Sequence, residues 1–445
     1  MKKLCIALAG IVCMAFCCTV PVRAAEPLTL HSYAAVLMDA STGQILFEKN
    51  ANQLMYPAST TKIMTGLLVA EYAPTYQIIT VSETAVDIEE PDSANISLKP
   101  GEQLSVNEAM YGMMLASGND AANALAEHVA GSQQEFARRM TQKAHDIGAV
   151  HTQFVNAHGL DEEGHCTTAR DLAIITRYAI ANPTFLKYFG AAEYTMAGTN
   201  THPAERTFTN YQSMLIDSST YYNSEVIGGK IGFTDFAQHA MSTVATRNGR
   251  TLVAVVLFSQ NREHKYIDTQ KLLDYGFGNF QKITVPKEDF SDFVIPLFDS
   301  GMPAGMVSFS AEKDFSALIP KGTDPANVQI QLDRPDSFQM RDTISLSAGF
   351  ALTGDFDPIP LGSVPLTSHI MLDRSALFPS AGIQTQTGPQ RPSLGLPLLL
   401  VILLLLAALL FARRQYTLAK RQRERQKRRE RLHREYYGIP SASTR

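Results

Sequence analysis

The chain is poor in cysteine. It has five in 445 residues, and four of them, Cys5, Cys13, Cys17 and Cys18, crowd the N-terminus. Beyond that segment only Cys166 remains, so the rest of the chain cannot form an internal disulfide, and a lone thiol reads as a buried side chain rather than a reactive one. HExxH and comparable ligand spacings are missing, so no metal is expected, and no organic cofactor is implied. Internal repeats are also missing. Net charge is small, with 39 Lys and Arg against 43 Asp and Glu. The positive residues concentrate in 413–445, which leaves an acidic body and argues against nucleic acid as its partner. What is present is 45% hydrophobic residues, enough for a sizeable core in two or three folded units.

Both ends carry apolar segments. "MKKLCIALAGIVCMAFCCTVPVRAAEP" opens with Lys2 and Lys3, runs apolar from Leu4 to Val20 and reaches small residues at Ala24 and Ala25. This is the pattern of a secretory signal peptide, assigned to residues 1–24. "LGLPLLLVILLLLAALLFA", Leu394 to Ala412, is uncharged and just long enough to cross ~30 Å of hydrocarbon as a helix. Arg413, Arg414 and the basic tail 413–445 follow at once. Their charge predicts a cytoplasmic tail and an exported body, extracellular or periplasmic, held at the cell membrane by one C-terminal helix.

Between these ends three parts are expected. Residues 25–281 open on alternating apolar residues with a turn at Ser41-Thr42-Gly43 and close on two strand-like runs joined at Asn248-Gly249, a strong hairpin signal. Helical periodicity appears around 60–72, 106–116, 119–130, 133–147 and 169–181. Strands at both ends with helices between them predict an antiparallel sheet, first and last strands adjacent, with an inserted helical subdomain. Residues 282–372 turn to short alternating runs broken by Pro, Gly and Asp, the pattern of a small all-β domain. Residues 373–393 are rich in Ser, Gly, Gln, Thr and Pro and read as a linker.

The chemistry begins at "PASTTKIMTG", where Ser59 is followed by Lys62 and an apolar run. Residues three apart share a helix face. A serine hydroxyl needs a base, and a lysine among apolar neighbours, or beside a second cation, gives up its proton more easily. A helix N-terminus also aims backbone N–H groups at developing negative charge. Alone, Ser-x-x-Lys is weak and fits an N-cap serine with a solvated lysine. It has company in Ser117-Gly118-Asn119, just before a helix, and in Lys230-Ile231-Gly232 on an expected strand.

The order S-x-x-K, S-x-N, K-x-G, spaced by roughly sixty and one hundred and ten residues, resembles the penicillin-recognising serine acyltransferases. "VLMDASTGQILFEKNANQLMYPASTTKIMTGLLV", "LKPGEQLSVNEAMYGMMLASGNDAANALAEHVAG" and "FVNAHGLDEEGHCTTARDLAIITRYA" narrow the resemblance to the low-molecular-weight D-alanyl-D-alanine carboxypeptidases, peptidase family S11, over about Ala34 to Phe280. The resemblance implies a serine β-lactamase/transpeptidase-like α/β catalytic domain, a small all-β domain and a C-terminal anchor, which in this family is often an amphipathic helix. It also implies removal of the terminal D-alanine from peptidoglycan stem peptides ending in D-Ala-D-Ala, with β-lactams as acylating inhibitors. Carried over, it makes Ser59 the nucleophile and Lys62 its base. Ser117 relays a proton to the leaving D-alanine, and Asn119 holds the substrate amide and Lys62. Lys230 adds positive potential and, with Arg262, attracts the terminal carboxylate. The backbone N–H groups of Ser59 and Phe233, beside Gly232, form the oxyanion hole. His158 is structural.

Two positions depart from the family pattern. Ile231 stands in place of the threonine whose hydroxyl bonds the substrate carboxylate, and Gln238 stands where glycine is usual. The first predicts a weaker grip on substrate, partly compensated by Thr234, and motivates an alternative: a weakly active or non-catalytic membrane-anchored peptidoglycan-binding protein. A class A β-lactamase would need a Glu-x-x-Leu-Asn segment between Asn119 and Lys230, which is missing. A cross-linking transpeptidase would need a large N-terminal module.

Overall fold

The computed structural model describes residues 28–373 apart from 89, 91 and 355. The proposed signal peptide, the apolar run 394–412, the basic tail and almost all of the linker lie outside the described residues. Among the described residues no helix is long and apolar enough to cross a membrane.

The sheet that positions the site has five antiparallel strands: β1 (Ala34–Asp39), β2 (Ile45–Lys49), β3 (Val226–Thr234), β4 (Gln238–Arg247) and β5 (Arg250–Ser259). Their order is β2-β1-β5-β4-β3. The first strand pairs with the last, Val36 opposite Val255, so the sheet closes on itself across the helical insertion. The turn of the β4–β5 hairpin falls at Asn248 and Gly249, both at positive φ, as Asn-Gly turns require.

β1 is apolar from Ala34 to Met38 and β5 from Leu252 to Phe258 because both faces are covered. Val36, Val253 and Val255 face one core, while Ala35, Leu37 and Ala254 face another, the two-residue alternation of a strand. The first core takes the inserted helices α1 (Lys62–Tyr72), α2 (Val106–Leu115), α3 (Asn119–Ala130), α4 (Gln133–Asp146), α5 (Ala169–Ile180) and α6 (Pro183–Phe189). Several start on side-chain caps: Ser105 closes a capping box with Glu108, and Thr168 accepts from the Asp171 N–H. The second core lies under α7 (Arg262–Asn279), through Tyr266, Leu272, Leu273 and Phe277. The sequence patterns give no sign of α6 or α7. α7 buries Lys265, Asp268 and Thr269 as well as its apolar residues, so its periodicity is blurred.

A strand at Phe280–Val285 follows α7 directly and opens a separate core built on Phe290, Phe309, Phe315 and Phe350. The six-stranded sheet of this part includes Phe293–Asp299, Met302–Ser310 and Ile359–Leu372. A separate two-stranded sheet pairs Phe280–Val285 with Phe315–Pro320, and it is tied to the first hairpin of the five-stranded sheet by Gln44, whose amide donates to the Leu318 carbonyl and accepts from the Leu318 N–H, each at 2.8 Å.

Candidate active site

Ser59 lies on a 3-10 turn, Ala58–Thr61, that runs straight into α1. The turn starts from a strained backbone, Ala58 at φ +48, and across the cleft Ser117 sits at φ +61. Non-glycine residues held there cost about 1–3 kcal/mol each and persist where the surroundings over-determine them. Two glycines let neighbouring chain approach the turn. A Cβ on Gly232 of β3 would lie 2.8 Å from the Ser59 nitrogen, and one on Gly159, itself at φ +94, would lie 1.9 Å from the Ala58 carbonyl oxygen. The edge strand and the 152–167 loop therefore both press against the nucleophile's backbone.

Lys62 is fully buried. Its Nζ is 3.0 Å from Ser59 Oγ, 2.7 Å from Asn119 Oδ1 and 2.7 Å from the His158 carbonyl oxygen. The last two groups can only accept, so they take two N–H bonds from the lysine. A neutral amine has two N–H bonds and one lone pair, and the lone pair is then left for the serine hydroxyl. Burial holds the lysine pKa well below its ordinary value, Lys230 pushes it the same way, and Asp120 opposes them. The carboxylate of Asp120 is engaged instead by the Ile96 and Leu98 N–H groups. Asn119 is aimed by its other end, since its Nδ2 donates to Ser93 Oγ at 3.0 Å.

Lys230, also buried, donates to Ser117 Oγ at 3.0 Å and to the Ile231 carbonyl at 3.2 Å. Burial and then Lys265 lower its pKa to about 7. Lys265 was not a candidate from the sequence. It is 2% exposed on α7, 3.5 Å from His239 Nδ1, and lowered to about 8 by burial and Arg262. His239 in turn stacks obliquely on Phe233, with ring centres 4.6 Å apart. Arg262 is exposed on the first turn of α7, not on a loop; its charge reaches the site through Lys265 and His239. A lysine on the buried stripe of a recognised helix would have been the signal.

The 152–167 loop is fastened to α1 by Thr65, which donates to the Ala157 carbonyl at 2.6 Å, and by Thr61 beside His165 Nε2 at 2.8 Å. His158 and His165 are desolvated, lowered to about 3 and about 4, and their Nδ1 atoms accept from the Leu160 and Val155 N–H groups. Both are neutral at pH 7. Cys166 is half-buried rather than buried, and free.

The two departures from the family pattern take on a physical meaning. Ile231 is half-buried, rests its apolar side chain on the core beneath α7 and offers no donor to a substrate carboxylate. Thr234 does not supply the missing hydroxyl, because it donates to Asp161 Oδ1 at 2.8 Å and accepts from the Ala237 N–H. Gln238 sits at φ +51, where glycine is favoured, and its amide donates to the Asp235 carbonyl at 2.6 Å. The open cleft before Ser59 has a volume of about 820 Å³ and is lined by Asn119, Leu160, Asp161, Phe233 and Phe236 among others.

A family model described as D-alanyl-D-alanine carboxypeptidase, peptidase S11, matches residues 21–261. The D-alanyl-D-alanine carboxypeptidase DacF of Bacillus subtilis (strain 168) is 29% identical over 315 residues, 70% of this chain and 78% of its own. DacC of Escherichia coli (strain K12) is 32% identical over 305 residues, 67% of this chain and 73% of its own. Among solved structures, penicillin binding protein 5 from Haemophilus influenzae superposes with a TM-score of 0.65 at 27% identity, covering 78% of this chain and 98% of that one. The Streptomyces K15 DD-transpeptidase gives 0.52 at 28% identity over 56% of this chain and 98% of that one.

The cation array sets a pH dependence. Acylation of Ser59 by a carboxylate-bearing electrophile such as penicillin rises with pH as Lys62 loses its proton. It falls again as Lys230, at about 7, and Lys265, at about 8, lose theirs. Lys265→Met removes a repelling charge from Lys230, so the alkaline limb of the acylation rate, followed by stopped flow, moves up by about one pH unit.

Proposed function

The chain belongs to the D-alanyl-D-alanine carboxypeptidases of peptidase family S11 and removes the terminal D-alanine from peptidoglycan stem pentapeptides through a penicillin-sensitive acyl-enzyme; from that premise we propose the role of each side chain and the setting in which it works. The observation that carries the assignment of roles is the hydrogen-bond set of Lys62, two obligate acceptors and one hydroxyl around a desolvated amine.

Ser59 Oγ gives its proton to Lys62 Nζ and attacks the carbonyl of the penultimate D-alanine. The oxyanion meets the backbone N–H groups of Ser59 and Phe233, each worth about 3 kcal/mol in comparable sites. The C–N bond breaks as the proton taken up by Lys62 passes through the Ser117 hydroxyl to the departing D-alanine amine, which leaves Lys62 neutral again. Lys230 holds Ser117 by its hydroxyl and supplies, with Lys265 and Arg262, the positive potential for the terminal carboxylate. Water then attacks the ester, Lys62 accepting its proton and returning it to Ser59 Oγ as the acyl C–O bond breaks and the serine is regenerated. Asn119 keeps Lys62 turned toward the serine.

The setting is an exported one. Residues 1–24 direct export, the helix 394–412 spans the cell membrane, and the tail 413–445 stays in the cytoplasm. The charge asymmetry about the apolar run supports this topology.

Ser59→Ala purified without its apolar ends releases no D-alanine from a pentapeptide and takes up no labelled penicillin, as measured by mass spectrometry; undiminished release overturns the assignment. Ile231→Thr restores a donor to the carboxylate and lowers KM about tenfold with little change in kcat; an unchanged KM removes the hydroxyl from the account. Deleting 394–445 moves the protein from the membrane pellet to the soluble extracytoplasmic fraction, and retention in the pellet refutes a spanning anchor.

A further inference from the structure

The catalytic cleft has two electrical ends. Lys62, Lys230 and Lys265 gather behind Ser59 and Ser117. The open part in front of Ser59 is lined by Glu90, Asp92, Asp161 and Asp235, and no lysine or arginine among the described residues lines it. β3 runs between the two ends, with Lys230 at the base, Gly232 against the Ser59 nitrogen and Asp235 just past the last residue. At about 3.3 Å per residue that is roughly 16 Å. A substrate held with its terminal carboxylate over the cations and its scissile carbonyl at Ser59 sends its acyl portion toward the carboxylates.

These carboxylates are uncompensated. None has an ion-pair partner among the described residues, and the described residues contain no group of three or more side chains fit to hold a metal ion. Two of them are coupled to the catalytic elements: Asp161 accepts from Thr234 of β3, and Asp92 adjoins Ser93, which accepts from Asn119. Beside them lie apolar faces with little cover. Phe233 is 53% and Phe236 69% exposed, and Tyr56 lies 6.0 Å from Phe236. Carboxylates next to exposed aromatic rings suit a side chain with a methylene stem and a cationic tip, whose stem lies along the rings while its charge meets the acids.

We propose that Glu90, Asp92, Asp161 and Asp235 make this enzyme select stem peptides whose third residue, next to the D-alanyl pair on the acyl side, is a diamino acid with its side-chain amine free. The inference rests on the carboxypeptidase reading and refines its substrate. A stem whose amine is acylated, as in a cross-link made through that amine, has lost the charge and is the poorer substrate. The enzyme therefore acts first on strands not yet joined.

The test compares D-alanine release from Nα-acetyl-L-Lys-D-Ala-D-Ala and from its Nα,Nε-diacetyl counterpart by the purified ectodomain-containing chain in detergent. The free amine raises kcat/KM roughly three- to tenfold at low ionic strength, the range that a few partly exposed charge pairs confer, and added salt shrinks the ratio. In Asp92→Asn/Asp235→Asn, two exposed positions, the ratio falls toward one. Asp161→Asn lowers it as well, and a melting curve shows whether loss of the Thr234 bond has disturbed the loop. Equal kcat/KM for the two peptides in the unmodified enzyme, or a preference that the double variant retains in full, overturns the proposal. Release from neither peptide, with Ser59 still unlabelled by penicillin, overturns the carboxypeptidase reading and the proposal with it.

Discussion

The site depends on keeping one ammonium from forming. Lys62 has lost its water, and what replaces that water is an asparagine oxygen and a backbone carbonyl, each of which can only accept. A charged lysine here would carry a full desolvation penalty in the field of Lys230. A neutral one fits, with its two N–H bonds used and its lone pair turned to Ser59. The nucleophile is thus activated by solvation chemistry, without a histidine. The two histidines nearby, His165 buried and His158 half-buried, are themselves neutral and hold the 152–167 loop in place.

Burial does most to keep the amine neutral, and a second cation close by adds to it; the buried cations beside it are depressed in the same way, by burial first and by a neighbouring charge second. Lys230 depresses Lys62, Lys265 depresses Lys230, and Arg262 depresses Lys265. The array runs from the nucleophile to the exposed start of α7, with each charge less buried or less perturbed than the one before. Such a gradient draws an anionic group inward while leaving the innermost amine unprotonated. The acidic mouth completes the polarity and orients a peptide along the edge strand β3.

The fold supplies the precision. Three motifs far apart in the chain meet because β3 is an edge strand lying against the turn that carries Ser59. That approach exists only where residue 232 has no side chain. The 152–167 loop approaches from the other side on the same terms at Gly159. The price is two left-handed non-glycine residues, Ala58 and Ser117, both at the cleft. Covering both faces of the sheet by helices, and bracing its first hairpin through Gln44 against the following β domain, makes a frame stiff enough to hold that strain.

Much of this was legible in the chain alone. The inserted helices α1 to α5 announced themselves through their 3.6-residue period, and the β4–β5 turn through Asn248-Gly249, because these signals are local. The adjacency of the first and last strands followed from where the strand patterns fell. Ser59, Lys62, Ser117, Asn119 and Lys230 were conspicuous as residue types in a recognisable order. What only the tertiary structure decided was who touches whom at long range. Thr234 is committed to Asp161, 73 positions away, so it cannot stand in for a hydroxyl at 231. Lys265, not only Arg262, carries charge toward the site, because α7 buries it against His239. Partners of this kind depend on which faces of the sheet receive which helix. Periodicity and composition fix the shape of each element, but a desolvated charge is a property of the packed whole.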